Sequence, residues 1–563
     1  MHTHKILKFA SNNPGLQSRL SKELGISKIL AQLLINRGIN DSGEANKFLN
    51  VHLDNLLDPY SFSDMHLALD IIERAASHKK KVMIFGDYDV DGITSLVLLK
   101  NTLSKKGMQV IHYLPHRIKE GYGLNKNIPQ IAKQLDVGLL ITVDCGTNSH
   151  HEIKELRQKN IDVIITDHHE SANCELPPAC AIINPKLESS NYKYRDLAGV
   201  GVAYKLACAV SGKKLVEDLD LVSLGTIADV VPLTGENRVF AKEGLVQISR
   251  TKRPGLRALM EISGIAGKKI TSTFVSYILG PRINASGRID TAEIAMSLLM
   301  SEKKEDADLL AKVVHTHNRQ RQKIEEKILE EAGSLIEKEI NFKEHKIIVI
   351  AKEDWHQGVL GIVASKLADR FYRPTILISV GKDLCKGSGR SIRSFHLFQA
   401  LLECKDFLKT FGGHSHAVGL LIERNMIKDF KNKINKLARE KLLLEDLIPS
   451  LDIDMELALS DLSEALVQEL LTLEPFGTGN PQPLFFTRSL QLKAQPQLLG
   501  RDTLKFWVTD QDITYQAIGF GMGSFRDSLV NAKYFDLVYT PEIDTWGGGK
   551  GTLLLEIKDI FFR

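Results

Sequence analysis

At 563 residues the chain is too long for one hydrophobic core, and about three or four domains is the expectation at roughly 150 residues each. Its 43% hydrophobic and 25% charged residues are those of an ordinary soluble globular protein, which excludes fibrous, disordered and membrane-embedded classes. The net charge of +4, from 73 basic and 69 acidic residues, does not by itself indicate a nucleic-acid binder and leaves room for a local basic patch.

Residues 1 to about 65 read as a helical lead-in, because "SRLSKELGISKILAQLLINRG" carries apolar positions at helical spacing. Short apolar runs then alternate with helical patterns: "KVMIF", "QVIHYLP", "VGLLITV", "DVIIT" and "CAIIN". That rhythm predicts parallel βαβ units with helices on both faces of the sheet. Residues 198 to about 340 are mainly helical and end in a charged stretch from Lys303 to Ile340, read as one long exposed helix joining two domains. A second α/β segment starts at "HKIIVIAKEDWHQGVLGIVASKLADR". From about 450 the closely spaced strands suit a small barrel such as an OB-fold. The expected domains are 1–65, 66–300, 301–342 (the connecting helix), 343–445 and 446–563. The six cysteines include no CxxC pair, and no signal-peptide core opens the chain, so a reducing, cytoplasmic location is expected.

The chemistry lies at strand ends. "VMIFGDYDVDG" closes an apolar strand with Asp87, Asp89 and Asp91. "LLITV" runs into Asp144, and "VIIT" into Asp167, His168 and His169. Asp229 ends the helical run "LGTIADVVPL". Taken singly, an Asp after a strand is a turn former or a helix N-cap. An EF-hand loop fails, because its twelfth position is Leu98 and a strand precedes it. What single-residue roles leave unexplained is the repetition, since clustered carboxylates repel and lose hydration unless a cation sits among them. In open α/β sheets ligands bind beyond the carboxyl ends of strands. Oxygen and imidazole donors without thiolates suit Mn²⁺ or Mg²⁺, and more carboxylates than one ion needs points to a two-ion phosphoesterase.

These motifs resemble the DHH phosphoesterase superfamily. "GPRINASGR", "WHQGVLGIVASKL", "GSGRSIR" and "FGGHSHAVG" are similar to its companion DHHA1 region, and "EPFGTGNPQPLF" to the start of the OB-type domain of the RecJ family of single-strand-specific 5′ exonucleases. The fold that the resemblance implies is α/β: a parallel-sheet DHH domain and a DHHA1 domain joined by a long helix, plus a β-barrel. It further implies two Mn²⁺ or Mg²⁺ ions held by Asp89, Asp91, Asp144, His168 and Asp229, with Asp144 bridging. His169 would face the scissile phosphate, with Asp87 and Asp167 in support. The implied activity is 5′→3′ degradation of single-stranded DNA to mononucleotides in repair and recombination, by a monomer working beside single-strand-binding protein and a RecQ-type helicase. Alternatives are a DHH phosphodiesterase acting on short oligonucleotides or cyclic dinucleotides, and a non-catalytic single-strand binder.

Strand-holding candidates are Arg117, Tyr122, Arg282, Asn284, Arg288, Arg390, Ser391, Arg393 and His414, in loops where glycine lets a phosphate approach and an arginine fork grips two oxygens. Phe506, Trp507, Tyr515 and Trp546 divide between barrel core and base-stacking surface.

Overall fold

The computed structural model describes residues 5–171, 175–500, 502–544 and 551–563; Cys174 and Trp546 lie outside them. The chain divides into two compact units. The first comprises residues 57–229 and 244–449, the second 5–56, 230–243 and 450–563.

The first unit contains two sheets. Five parallel strands are ordered Val110–Tyr113, Lys81–Gly86, Val137–Val143, Asp162–Thr166 and Ala181–Ile183. In chain order this is 2-1-3-4-5, a doubly wound sheet whose order reverses between Lys81–Gly86 and Val137–Val143. Because all the strands run the same way, every carboxyl end opens onto one edge. Residues such as Met83, Phe85, Leu140, Val163 and Ile165 bury one face under the helices Ile128–Gln134 and His150–Gln158. Each such side chain contributes about 1.5–3 kcal/mol by leaving water. Helix Val90–Lys105 lies against the helices Gly199–Ser211 and Leu219–Ala228. The second sheet has the order Leu408–Gly413, Ala417–Glu423, Leu384–Arg390, Thr375–Val380, Ile348–Glu353, of which only the last pair is parallel.

Helix Lys304–Glu339 joins the two sheets over 36 residues, about 54 Å at 1.5 Å per residue. Its charge pattern predicts an exposed rod, and that expectation needs correction. One stripe, from Ala307 through Val314 and Ile328 to Ile336, is buried. The flanking charges mask a regular four-and-three spacing that seats the helix on its neighbours.

In the second unit five strands close into a barrel: Phe485–Leu499, Thr503–Thr509, Thr514–Phe520, Thr552–Phe562 and Phe535–Asp544, with the first and last of these paired. The amino-terminal helices join it. Leu30, Leu33, Leu34 and Ala45 share a core with Phe485, Phe506 and Leu555, and Ile6–Phe9 pairs in parallel with Ser450–Ile453. Arg238 stitches the 230–243 segment in, its guanidinium donating to the carbonyls of Phe48, Thr472, Leu473 and Glu474. Among the described residues no helix is long and apolar enough to cross a membrane.

Candidate active site

Asp87, Asp89 and Asp91 follow the strand Lys81–Gly86 and enter the helix Val90–Lys105, whose N-cap is Asp89. Asp89 accepts from the Asp91 and Gly92 backbone at 3.0 and 3.2 Å. The turn is so tight that a Cβ on Gly92 would lie 2.4 Å from the Asp87 carbonyl oxygen. Asp144 follows the neighbouring strand in the left-handed region, φ 60°. Asp167, His168 and His169 follow the next, and Asp229 caps the carboxyl end of helix Leu219–Ala228.

These residues converge. His168 Nε2 lies 3.2 Å from Asp144 Oδ1, 3.5 Å from Asp229 Oδ2 and 3.9 Å from Asp91 Oδ2. Donor atoms of Asp87, Asp89 and Asp144 also fall within 4.8 Å of one another, as do those of Asp144, His168 and His169. Backbone amides of Gly199 and Val200 grip Asp91 at 2.6 and 2.7 Å. Gly199 must be glycine for this approach, since a Cβ there would meet the Asp144 carboxylate at 2.7 Å.

Burial first, and then the neighbouring carboxylates, raise Asp87, Asp144 and Asp229 well above the usual carboxylate range. Asp91 is pushed up to about 7 by burial and by Asp89, against its two backbone donors. Burial and the adjacent His169 push His168 down to about 3, so its ring is neutral. Asp87 Oδ1, Asp144 Oδ1, His168 Nε2 and Asp229 Oδ2 are buried without a hydrogen-bond partner. The short His168–carboxylate distances are therefore not salt bridges; they bring lone pairs together. Buried acceptors facing one another in this way fit divalent cations, and the all-oxygen-and-imidazole set fits Mn²⁺ or Mg²⁺.

Asp167 stands apart from that cluster. Burial works to raise it, but His169, His168 and the Thr147 amide hold it well below the usual range. It accepts from the His168 and His169 amides at 2.7 and 3.1 Å and from Thr147 N at 2.9 Å. His169 Nδ1 sits 2.8 Å from Asp167 Oδ1; burial works to lower the imidazole, but Asp167, Asp87 and Asp89 together raise it. Tyr122 lies 3.0 Å from the same nitrogen through its hydroxyl, which donates to the Asp144 carbonyl at 3.3 Å, while half of the residue stays exposed.

The second sheet reaches the same place. The His414 ring stacks at 6.3 Å on that of His169. Asn284 Oδ1 accepts from Val90 N at 3.2 Å, which ties helix Gly280–Ile289 to the acidic loop. Arg288 Nη1 donates across the cleft to the Gly358 carbonyl at 2.9 Å. Burial, then Arg117, Arg390 and Arg321, pull the Arg288 guanidinium well below its ordinary value. For a group that stays protonated, this amounts to an unmet demand for an anion. Arg117 lies over the Tyr88 ring at 4.5 Å.

Other candidates have structural duties. Arg390 donates to the Gly389 carbonyl and Arg282 to that of Ile278. The Ser391 hydroxyl donates to Phe395 O, and Arg393 is exposed in the same loop. In the barrel Phe506 is core and Trp507 is 44% exposed; the Tyr515 hydroxyl donates to Leu462 O.

Sequence reasoning missed Thr147, Asn184, Gly199, Val200 and Lys186. Asn184 donates to Thr147 Oγ1 and to the His169 carbonyl, both at 2.9 Å. Lys186, two residues on, pairs with Glu170 at 3.3 Å. The strand end "AIIN" was the available signal for both, being a fifth parallel tip beside the other four.

Three family models match the chain: the DHH family, N-terminal domain, over residues 81–226; the DHHA1 domain over 344–440; and the RecJ OB domain over 453–559. The single-stranded-DNA-specific exonuclease RecJ of Bacillus subtilis is 39% identical over 543 residues, 96% of this chain and 69% of the relative. That of Salmonella typhimurium is 34% identical, covering 95% of this chain and 96% of the relative. Crystal structures of Thermus thermophilus RecJ in complex with Mn²⁺ and with Mg²⁺ superpose with TM-scores of 0.86 and 0.79, at 28% and 26% identity. They cover 99% of this chain and 80% and 78% of theirs. With relatives of this identity matched across both α/β domains and the barrel, the chain belongs to the RecJ family of single-stranded-DNA-specific exonucleases.

Proposed function

We propose that this Mn²⁺- or Mg²⁺-dependent exonuclease digests single-stranded DNA from the 5′ end to mononucleotides, in DNA repair and recombination. In this reading Asp89, Asp91, Asp144, His168 and Asp229 hold two ions, with Asp144 between them. The observation that carries it is the set of buried acceptors on Asp87, Asp144, His168 and Asp229 that no protein donor satisfies. When bound, two such ions supply a hydroxide nucleophile at neutral pH and neutralise charge on the phosphorus oxygens.

The protein's own residues do the rest. Asp167 fixes the His169 tautomer, with Nδ1–H donated to the carboxylate, so that Nε2 is left for the scissile phosphate. Tyr122 holds the same imidazole and offers its exposed ring to the terminal base. Arg117, Arg288 and Arg390 form the cationic wall for the phosphate backbone, and His414 closes it over His169. Arg282, Asn284, Ser391 and Arg393 shape the two glycine-bearing loops of that wall. Residues 66–300 act as the DHH domain, 343–445 as the DHHA1 domain and 446–563 as the OB-type domain, which retains the strand beyond the cut. The protein acts as a monomer in the cytoplasm beside single-strand-binding protein and a RecQ-type helicase.

The test is digestion of single strands labelled at either end, with Mn²⁺, with Mg²⁺ and with chelator. A 5′ label released at once as mononucleotide, only with metal, is the expected result. Release of the 3′ label first overturns the polarity, and metal-independent cleavage overturns the two-ion site.

A further inference from the structure

The buried stripe of helix Lys304–Glu339 is regular in position but not in chemistry. Ala307, Ala311 and Val314 are apolar, and so are Ile328, Ala332 and Ile336. Between them the same stripe carries Asn318, Arg321 and Glu325, which are 3%, 9% and 4% exposed. The amino half of the helix lies on Pro254–Ile262, Gly280–Ile289 and Glu293–Met300, and the carboxyl half on helix Leu360–Phe371 and the second sheet. The polar interruption therefore falls where the helix passes from one side of the cleft to the other.

Arg321 donates to Glu325 Oε2 at 2.5 Å and to Asn318 Oδ1 at 2.7 Å. The other Glu325 oxygen takes the ammonium of Lys366, which reaches in from helix Leu360–Phe371 with half of its side chain exposed. Burying such a set rarely adds stability, because desolvation offsets the Coulomb gain, and apolar replacements of similar volume are often neutral or stabilising. A set like this at one position of an otherwise apolar seam is better suited to fixing register.

What it registers is visible in its neighbours. Helix Gly280–Ile289, packed on the long helix, holds the acidic loop through Asn284 and reaches the Gly358 carbonyl through Arg288. The separation between the carboxylate cluster and the Arg390–His414 wall thus depends on how this helix and Leu360–Phe371 are seated on the one they share.

We propose that Arg321, Glu325 and Lys366 are positioning residues that set the spacing of the strand-binding cleft. The proposal rests on the nuclease reading above. A small diester needs the acidic cluster but not the cleft spacing, so bis(p-nitrophenyl) phosphate separates the two. The full-length variant Arg321→Met/Glu325→Leu/Lys366→Met is expected to keep or raise its melting temperature and to hydrolyse that diester with Mn²⁺ within about twofold of the parent. Its kcat/KM on a long single strand should fall by about tenfold or more, with the loss in KM. Arg321→Lys, which keeps the pair, should retain most of that activity. A triple variant that digests long strands like the parent overturns the proposal. So does one whose strand and diester rates fall together, because the set would then be only structural. A parent inactive on both substrates with Mn²⁺ would instead sink the nuclease reading.

Discussion

The two walls of the cleft both crowd like charges, yet they satisfy them differently. On the DHH side four buried acceptor atoms, on Asp87, Asp144, His168 and Asp229, have no protein donor at all. Facing them, a cationic wall draws on both domains, Arg282 and Arg288 from helix Gly280–Ile289 and Arg390 from the second sheet, and its arginines rest on backbone carbonyls: Arg288 on Gly358, Arg390 on Gly389, Arg282 on Ile278. A carbonyl oxygen holds a guanidinium in place without neutralising it. One wall is thus built to be completed by cations and the other to stay cationic until phosphates arrive. Apparent frustration of one sign marks a resident ion, and of the other sign a substrate.

The contrast is broken most severely at Asp144, the cluster acid nearest His168 Nε2 at 3.2 Å. Asp144→Asn should lower kcat on single-stranded DNA by on the order of 10³-fold, as several kcal/mol of metal-derived stabilisation is lost; steady-state rates across a Mn²⁺ titration measure it. Asp167→Asn attacks the support instead. It removes the carboxylate that orients His169 but leaves the cluster intact, so activity should fall about 10–100-fold. Mn²⁺ affinity, read by calorimetry, should move much less.

On the cationic wall, Arg390→Gln removes a charged phosphate donor worth about 1.5–3 kcal/mol, so KM for single strands should rise about tenfold or more with kcat little changed. The slope of affinity against salt should flatten by about one ion. A drop in kcat alone would place Arg390 at the chemistry and not in the wall.

The smallest effect is thermal. Asp91 is raised to about 7 when folded, whereas an unfolded Asp titrates near 3.9. Its stabilising contribution is present at low pH and is lost as pH rises through about 7. Asp87, Asp144 and Asp229 are shifted the same way. Asp167, depressed, adds no change above pH 6.5, and His168, depressed to about 3, regains only about 0.4 kcal/mol there as the unfolded imidazole finishes deprotonating, too little to offset the acids. The metal-free protein should therefore melt a few degrees lower at pH 8.5 than at pH 6.5. Mn²⁺, which competes with those protons, should raise the melting temperature more at pH 8.5. A chelated protein whose melting temperature climbs over that interval would refute the assignment.

Legibility followed the range of the interactions. The five strands of the first sheet and the acids beyond them were readable, because an apolar run and a following Asp are local patterns. Asp229 was visible as the end of a helical run. Harder to see were the amides of Gly199 and Val200, which donate to an acid more than a hundred residues earlier. The amino-terminal helices read as a lead-in of their own. They share a core with strands some 450 residues away, a pairing that no local periodicity encodes. The long helix misled for the same reason: its charges are contiguous, whereas its buried stripe emerges only at helical spacing.

From the amino-acid order alone came the parallel βαβ rhythm, the donor types and hence a hard divalent ion, and the family. Folding alone decided which strand tips are neighbours, which acids lose their water and are pushed above the usual carboxylate range, and which arginines rest on neutral carbonyls. The physical reason is that residue type and spacing determine what a group is able to bind, whereas desolvation and the company of other charges exist only once distant segments have packed together.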